Sequence, residues 1–279
     1  MKIVKFTFCA LFFITSFVQS QTILNAESLR VAMLKGNESW SGEAGLSFSF
    51  VKNTINNYNF NTNVAFGYNG GDNLWMIISN LSFDKSGGSE FQNSGVQHIR
   101  YNRQINETLT FEAFMQGQYD AISRIDFRGL IGIGPRFDFS KKRDSNNKKI
   151  SPKSRIFLGT LIMYEYEKSS ELDMDVKRKD LRGSNYLSFS LYPSDQVEII
   201  STTYYQPKLN MFKDYRISSV LGLEIALGSK SNTDETKKKG SFWDKLSFNV
   251  YFTYNYDAFP VVSIPKTQYS LTNGLSFNF

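Results

Sequence analysis

The feature that most constrains the fold of this chain is a strict alternation of apolar and polar residues over unusually long segments. Aromatic or β-branched side chains occupy the even positions Tyr58 to Val64, and asparagine occupies the odd positions Asn57 to Asn63. Because successive side chains of a β-strand point to opposite faces of the sheet, this pattern gives one apolar face and one amide face. A helical period of 3.6 residues does not produce it. The segment is therefore predicted to be a β-strand.

About twelve segments of this kind follow one another to the C-terminus. They lie near residues 41–51, 57–67, 73–83, 95–104, 108–119, 123–139, 154–166, 181–192, 195–206, 213–227, 244–256 and 267–279. Most are ten to thirteen residues long, whereas strands of soluble proteins average about five or six and a tilted strand needs about 9 to 11 residues to cross a bilayer. The predicted fold class is therefore all-β, a transmembrane antiparallel β-barrel of about 12 strands.

The N-terminus does not alternate. Residues 1–20 are predicted to be a signal peptide, because Lys2 and Lys5 accompany an apolar run from Phe6 to Val18 and small residues follow it. This run is shorter than the roughly 20 residues that a transmembrane helix needs. Residues 21–40 are predicted to form a lead-in segment, either extended or a short helix, before a β-barrel domain at 41–279. Since no later stretch is long and apolar enough for a helical span, only strands are predicted to cross a membrane.

The polar faces of the predicted strands carry charges of both signs in equal number. The residues assigned to them are Arg100, Arg124, Arg128, Arg182 and Arg216, with Glu112, Asp126, Glu165, Glu198 and Glu224. In a barrel lumen of low dielectric constant each unpaired ion is costly, so neutralising pairs are favoured. A soluble sandwich would turn the same side chains to water, where balance matters little. We therefore predict a charge-paired lumen, narrowed by the large side chains of Tyr186, Tyr204 and Tyr251.

The chain ends on an alternating apolar motif. Leu275, Phe277 and Phe279 occupy every second position up to the last residue, which resembles the terminal strand of bacterial outer-membrane barrels. We predict that Phe277 and Phe279 form an assembly signal read by the barrel assembly machinery during insertion. An even number of strands would return the C-terminus to the side of the membrane where the N-terminus lies.

Composition excludes several kinds of site. The only cysteine, Cys9, lies in the predicted signal peptide, and the chain has one histidine, His98. Disulfides, zinc–thiolate sites and multi-histidine metal sites are therefore excluded from the mature chain. The net charge of +6 falls to +4 without Lys2 and Lys5, and no recognition helix accompanies the basic segment at 141–153. We predict no cofactor, no metal and no nucleic-acid partner, and the oligomeric state stays open.

His98 raises the alternative of an outer-membrane lipid hydrolase. Twelve-stranded outer-membrane phospholipases resemble this architecture and use a His with a Ser nearby on the same strand face. The same-face neighbours of His98 are Val96 and Arg100, so this pattern is absent. Carboxylate pairs could also be drawn from the lumen acids, but these acids are more simply explained as partners of the arginines. We predict no catalytic residues and no enzymatic activity.

Six stretches together resemble a known family. They are His98-Ile-Arg-Tyr-Asn102, Glu112-Ala-Phe114 followed by Gln116 and Gln118-Tyr119, the segment from Arg128 to Arg136, Tyr164-Glu-Tyr-Glu167, Tyr204-Tyr-Gln-Pro-Lys208 and Asp214-Tyr-Arg216. Over residues 22–279 the chain is similar to the salt-induced outer membrane proteins, domain-of-unknown-function family 481. The resemblance implies an outer-membrane β-barrel of unassigned activity, and it supplies no catalytic residues.

The sequence leaves three functions open. The leading one is an outer-membrane β-barrel surrounded by lipid, acting as a structural protein of the cell envelope or as a narrow channel for small solutes. The alternatives are an outer-membrane lipid hydrolase and a secreted, soluble β-sheet protein that binds lipid with its apolar face turned inward. The direction in which the apolar face points separates the last alternative from the other two.

Overall fold

The computed structural model describes residues 40–52, 56–140, 154–171, 174–194, 196–228, 246–260 and 262–277. The predicted signal peptide lies outside the described residues, as do the lead-in segment up to residue 39, the basic segment at 141–153 and Phe279. No helix in the described ranges has the length and apolarity to cross a membrane.

Twelve described strands form one antiparallel sheet. They are β1 (Trp40–Lys52), β2 (Asn56–Asn69), β3 (Asn73–Ser86), β4 (Ser89–Gln104), β5 (Leu109–Asp120), β6 (Ile125–Asp138), β7 (Ser154–Glu171), β8 (Met174–Ser194), β9 (Val197–Lys208), β10 (Met211–Ala226), β11 (Leu246–Asp257) and β12 (Thr267–Phe277). Each strand pairs with the strands before and after it in the chain. Every predicted segment overlaps one of these strands, so the predicted all-β antiparallel fold is confirmed.

The largest difference from the predicted boundaries is in β8, which begins at Met174 and not near residue 181. It pairs with β7 from Met174 onward, whereas its pairing with β9 starts at Arg182. Residues 174–180 carry charged side chains on both faces of the strand, with Met174 and Val176 as the two apolar residues, so they lack the alternation by which the other strands were predicted. The β7–β8 hairpin therefore extends beyond β9 at one end of the sheet.

The buried face of the sheet is polar and the exposed face is apolar. Along β5, six alternate residues from Thr110 to Asp120 are buried, and five of the six are polar. The residues between them include Phe111, Met115 and Tyr119, whose side chains are exposed. Soluble proteins have the opposite arrangement. The sequence alternation thus places the polar side chains inside and the apolar ones outside.

Contacts between distant strands show that the sheet curls around its polar face. Arg216 on β10 contacts Glu165 on β7, and the Tyr186 hydroxyl on β8 donates a 2.6 Å hydrogen bond to Glu112 on β5. Each contact joins strands three positions apart, which would be about 14 Å from each other in a flat sheet. The curvature is therefore that of a barrel wall.

The sheet is open between its first and last strands. Among the described residues, no pairing joins β1 to β12. Leu46 on β1 is 76% exposed and Tyr269 on β12 is 73% exposed. Both strands thus leave one edge of backbone N–H and C=O groups unpaired within the sheet, and unpaired edges are prone to pair with another strand. The closure that the predicted barrel requires is not present in the described strands.

The inner face has two chemically different parts. The charged wall is the inward face of β4 to β11 and carries the buried ionisable residues described below. The amide wall is one half of the inward face of β2 and β3, formed by Asn57, Asn59, Asn61, Asn63, Asn80, Ser82, Asp84 and Ser86. The other half of this face carries the buried apolar residues Ala65, Leu74, Met76 and Ile78. On the amide wall, Asn61 Nδ2 donates to Asn59 Oδ1 at 2.8 Å, and Asn59 donates in turn to Asp84. These short side chains are half-buried or exposed.

Candidate functional site

The centre of the charged wall is the carboxylate of Glu165 on β7, which is 1% exposed. Its Oε1 accepts hydrogen bonds from Arg128 Nε, at 2.5 Å, and from Arg216 Nη1. Its Oε2 accepts a 2.6 Å bond from Arg182 Nε. These arginines lie on β6, β10 and β8, so one carboxylate joins four strands. Charge-assisted bonds of this kind are roughly twice as strong as neutral ones.

Four further carboxylates surround these arginines. Arg216 contacts Glu167 at 3.1 Å and Asp257 at 2.7 Å. Arg182 Nη2 lies 2.9 Å from Asp214 and 3.5 Å from Asp180, and Lys208 contacts Asp180 at 2.6 Å. The Glu165 cluster therefore contains four cations and five anions: Arg128, Arg182, Lys208, Arg216, Glu165, Glu167, Asp180, Asp214 and Asp257. Near-complete pairing explains how so many charges are buried, because an unpaired buried ion is very costly.

A second, smaller cluster is centred on Glu112 of β5, which is fully buried. Arg100 Nη1 lies 3.9 Å from its Oε2, and Arg136 Nε lies 3.6 Å from its Oε1. The Tyr186 hydroxyl donates to Oε2. The Arg136 guanidinium also stacks 3.8 Å from the centre of the Phe157 ring, a cation–π contact that offsets part of its desolvation. We call these four charged and hydroxyl-bearing side chains the Glu112 cluster.

Two inward-facing aromatic rings lie across glycines of the neighbouring strands, where the missing side chain leaves room for the ring. Tyr186 lies directly opposite Gly159, and Phe114 lies opposite Gly132. A Cβ atom at Gly159 would lie 2.1 Å from Tyr186 Cε1, and one at Gly132 would lie 2.5 Å from Phe114 Cε1. The absence of a side chain at Gly159 thus lets the Tyr186 ring cross over β7, toward Glu112.

His98 lies near the Glu112 cluster and contacts neutral side chains. Its Nδ1 is 2.9 Å from Gln116 Oε1, and its ring stacks on Phe114 at a centroid distance of 5.6 Å. Gln116 Nε2 donates to Gln118 Oε1. No hydroxyl or carboxylate among the described residues forms a hydrogen bond with the His98 ring, so the structure does not bring a serine or acid to it.

A small cavity separates this histidine from the Glu165 cluster. Its lining comprises His98, Arg100, Phe114, Gln116, Gln118, Arg128, Leu130, Ser184, Tyr204 and Gln206. The lining residues come from β4, β5, β6, β8 and β9, which again requires a curled sheet. In the described part of the chain, no three His, Cys, Asp or Glu side chains are grouped so as to hold a metal ion.

The structure brings together six of the ten residues predicted to form the lumen network. Arg128, Glu165, Arg182 and Arg216 belong to the Glu165 cluster, and Arg100 and Glu112 to the Glu112 cluster. All six are buried.

The other four predicted residues lie elsewhere. Arg124 is exposed in the β5–β6 turn with a positive φ of 53°. Asp126 is exposed and contacts Lys168 at 3.6 Å, because a register shift between Ile125 and Phe127 turns it away from the lumen. Glu198 and Glu224 are half-buried and lie opposite each other near the end of β9 that is far from Lys208.

Six charged residues of the two clusters were not predicted from the polar face. They are Arg136, Glu167, Asp180, Lys208, Asp214 and Asp257. Arg136, Glu167, Lys208 and Asp214 belong to the stretches that carry the family resemblance, and Asp180 shares the strand face of Arg182. Strict counting along each strand would therefore have identified Asp180. Of the predicted assembly signal, Phe277 ends β12 and Phe279 is outside the described residues, so this signal stays a prediction.

Comparison with known proteins gives one family and several distant structures. The family described as "Protein of unknown function, DUF481" matches residues 43–279. A NanC porin structure shares 11% identity and a TM-score of 0.45, covering 86% of this chain and 98% of that one. The translocator domain of the autotransporter NalP from Neisseria meningitidis shares 10% identity and a TM-score of 0.46, covering 91% and 94%.

A bacterial polysaccharide outer membrane secretin shares 12% identity and a TM-score of 0.42, covering 86% of each chain. No curated protein sequence matches this chain. These structural similarities are weak.

Proposed function

The chain belongs to the DUF481 family, and we propose that it is an outer-membrane β-barrel whose lumen is largely filled by ion pairs along the charged wall. Small polar solutes would pass along the amide wall, where side chains are short. In this proposal membrane lipid covers the apolar outer face, and the protein is a narrow channel or a structural component of the envelope.

The observation that carries the proposal is the inverted burial of the strands. Met115, Ile131 and Ile162 are 55% to 58% exposed, whereas Glu165 and Arg182 are at most 1% exposed. In water, a continuous apolar outer surface is unfavourable and favours association. In hydrocarbon the same surface is compatible with its surroundings, and a polar interior is typical of membrane barrels.

The filling of the charged wall supports a narrow lumen. The side chains of Arg182, Arg216 and Tyr186 extend from the wall and reach partners on other strands. By contrast, Asn61 and Ser82 on the amide wall bond to each other at 2.5 Å within the wall. Since conduction depends on the radius left between pore-lining groups, water and solutes would have most room beside the amide wall.

The test of this function combines two measurements on protein folded in detergent. We expect a heat-modifiable gel band that fractionates with the envelope, and a single-channel conductance in planar bilayers well below that of a wide porin. Protein unfolded by boiling in the same detergent is the control and should give no channels. A chain that stays monodisperse without detergent would contradict the membrane proposal, and porin-like conductance would contradict the filled lumen.

We further propose that β1 and β12 pair with each other in the membrane, where an unpaired edge is costly. Ser47 lies on the inward face of β1, and Ser270, Thr272 and Gly274 lie on the inward face of β12. We expect S47C to form an intramolecular disulfide with a cysteine at one of these three positions in a chain carrying C9S, because disulfides need Cα atoms within about 7 Å. The matched control is L46C, which faces outward. Absence of any such bond from the folded protein would argue against closure.

Two alternatives receive less support. A lipid hydrolase would need a nucleophile near His98, whose Nδ1 instead bonds with Gln116. A soluble lipid-binding protein would need an apolar interior, whereas the described interior contains two ion-pair clusters. We therefore propose that the protein is not an enzyme. Purified protein should show no phospholipase activity, and an activity lost in H98A would reverse this conclusion.

A further inference from the structure

The cavity beside His98 contains side-chain atoms that the surrounding protein leaves without partners. Among the described residues, His98 Nε2, Arg128 Nη2 and Gln206 Oε1 are buried and have no hydrogen-bond partner. All three residues line the same cavity and are at most 3% exposed. Buried polar atoms are normally paired, because leaving one unpaired costs free energy. Three in one cavity therefore leave a place where a polar ligand can supply the missing partners.

The neighbouring hydrogen bonds determine what each atom requires. Gln116 Nε2 donates to Gln118, so Gln116 Oε1 is the acceptor for His98 Nδ1–H. The neutral imidazole therefore presents a bare acceptor at Nε2. Gln206 Nε2 donates to Ser184 Oγ at 3.2 Å, which leaves Gln206 Oε1 as a second acceptor. Arg128 Nη2 is a donor, like every guanidinium nitrogen, whereas Arg128 Nε is already bonded to Glu165.

The charge of the lining favours an anion. Two guanidinium groups, Arg100 and Arg128, line the cavity, and none of the lining side chains is a carboxylate. The remaining polar lining consists of amides and hydroxyls. Both guanidinium groups have carboxylate partners outside the lining: Arg128 shares Glu165 with two other arginines, and Arg100 lies 3.9 Å from Glu112. A small ligand in this cavity would thus meet guanidinium and neutral hydrogen-bonding groups directly, with the carboxylates behind them.

We propose that this cavity binds a small hydroxylated oxyanion, of the size of inorganic phosphate or a two-carbon hydroxy acid. An anionic oxygen accepts from Arg128 Nη2, and each ligand hydroxyl group donates to one of the two acceptors, His98 Nε2 or Gln206 Oε1; dihydrogen phosphate has two such groups, and glycolate has one. The proposal rests on the proposed function in that the lumen must admit small solutes. It identifies the class of solute that the lumen retains.

Isothermal titration calorimetry on the folded, detergent-solubilised protein at pH 7 tests this site. Inorganic phosphate carries hydroxyl groups at this pH and should bind saturably with one site per chain. Sulfate has the same shape without a hydroxyl group and should bind about tenfold more weakly or less, as expected from losing hydrogen bonds to buried acceptors. Glycolate and acetate provide the same comparison for a planar carboxylate.

Two variants remove one acceptor each. Q206L keeps most of the side-chain volume, and H98F keeps the stacking on Phe114; each should weaken phosphate binding about tenfold. Q97L is the matched control, because Gln97 is exposed on the outer face of β4, and it should bind as the native protein does. Heat-modifiable migration verifies that each variant is folded.

Three outcomes would overturn the proposal: no saturable binding of either hydroxylated anion, equal affinity for phosphate and sulfate, or native affinity in both Q206L and H98F. Because calorimetry does not require conduction, failure of this site is distinct from failure of the channel. Phosphate binding without conductance would count against the channel alone, and conductance without phosphate binding would count against the site alone.

Discussion

The charged wall and the amide wall are both polar surfaces on the inner face of the sheet, but their side chains find hydrogen-bond partners in opposite ways. On the charged wall, Glu165 receives bonds from three arginines on other strands. On the amide wall, Asn59, Asn61 and Ser82 bond with residues on their own or the adjacent strand. Long ionic side chains thus contact distant strands and occupy the space between them, whereas short amides bond with one another locally and project less far from the sheet.

The largest expected effect is loss of the central carboxylate of the charged wall. E165Q keeps the shape of the side chain but leaves three buried guanidiniums without their shared anion, so we expect the free energy of unfolding to fall by about 3–5 kcal/mol. D84N is the matched change on the amide wall, where Asp84 is half-buried and bonds with Asn59. It should cost about 1 kcal/mol or less. Urea unfolding in lipid vesicles measures both, and equal costs would remove the distinction between the walls.

A smaller effect is expected from filling the glycine under Tyr186. The added methyl group of G159A would lie 2.1 Å from the ring, and displacing the ring should cost about 1–3 kcal/mol of stability. G274A on β12 is the control, since no described atom lies within 4 Å of the added Cβ, and it should change stability by less than about 0.5 kcal/mol. In a Y186A background the cost of G159A should disappear. If it persists there, the ring contact is not its cause.

The smallest effect on stability, with a clear effect on conduction, is expected on the amide wall. N61W places an indole on the inward face of β2 and should reduce single-channel conductance by about half or more, because it narrows the open side of the lumen. T62W changes the adjacent, outward-facing residue and should leave conductance unchanged. If the two variants conduct alike, solutes do not follow the amide wall.

The sequence alone was sufficient for the strands and for the orientation of most residues. Alternation located all twelve strands, and it placed Arg100, Glu112, Arg128, Glu165, Arg182 and Arg216 on the inner face, where they are buried. It was misleading where the period of two breaks. Asp126 follows a turn and lies at a register shift, so counting from either side of the irregularity gives a different face.

Alternation did not predict which inward-facing side chains contact one another. Glu198 and Glu224 are near one end of their strands, and Lys208 is at the other end of β9. Alternation predicts which face of the sheet a residue lies on, but not its position along the barrel axis. The contacts of Tyr186 with Glu112 and of Arg216 with Glu165 depend on how tightly the sheet curls. Curvature arises from the whole sheet, so no local pattern reports it.

The simple order of the strands has an evolutionary consequence. Each described strand forms backbone pairs only with its neighbours along the chain. A duplicated or deleted hairpin would therefore add or remove two strands and leave every other backbone pairing in register. Both termini would also remain on their original side. The backbone pairing would therefore tolerate a change in diameter by whole hairpins, whereas the Glu165 cluster would not, because its side chains join β6, β7, β8 and β10.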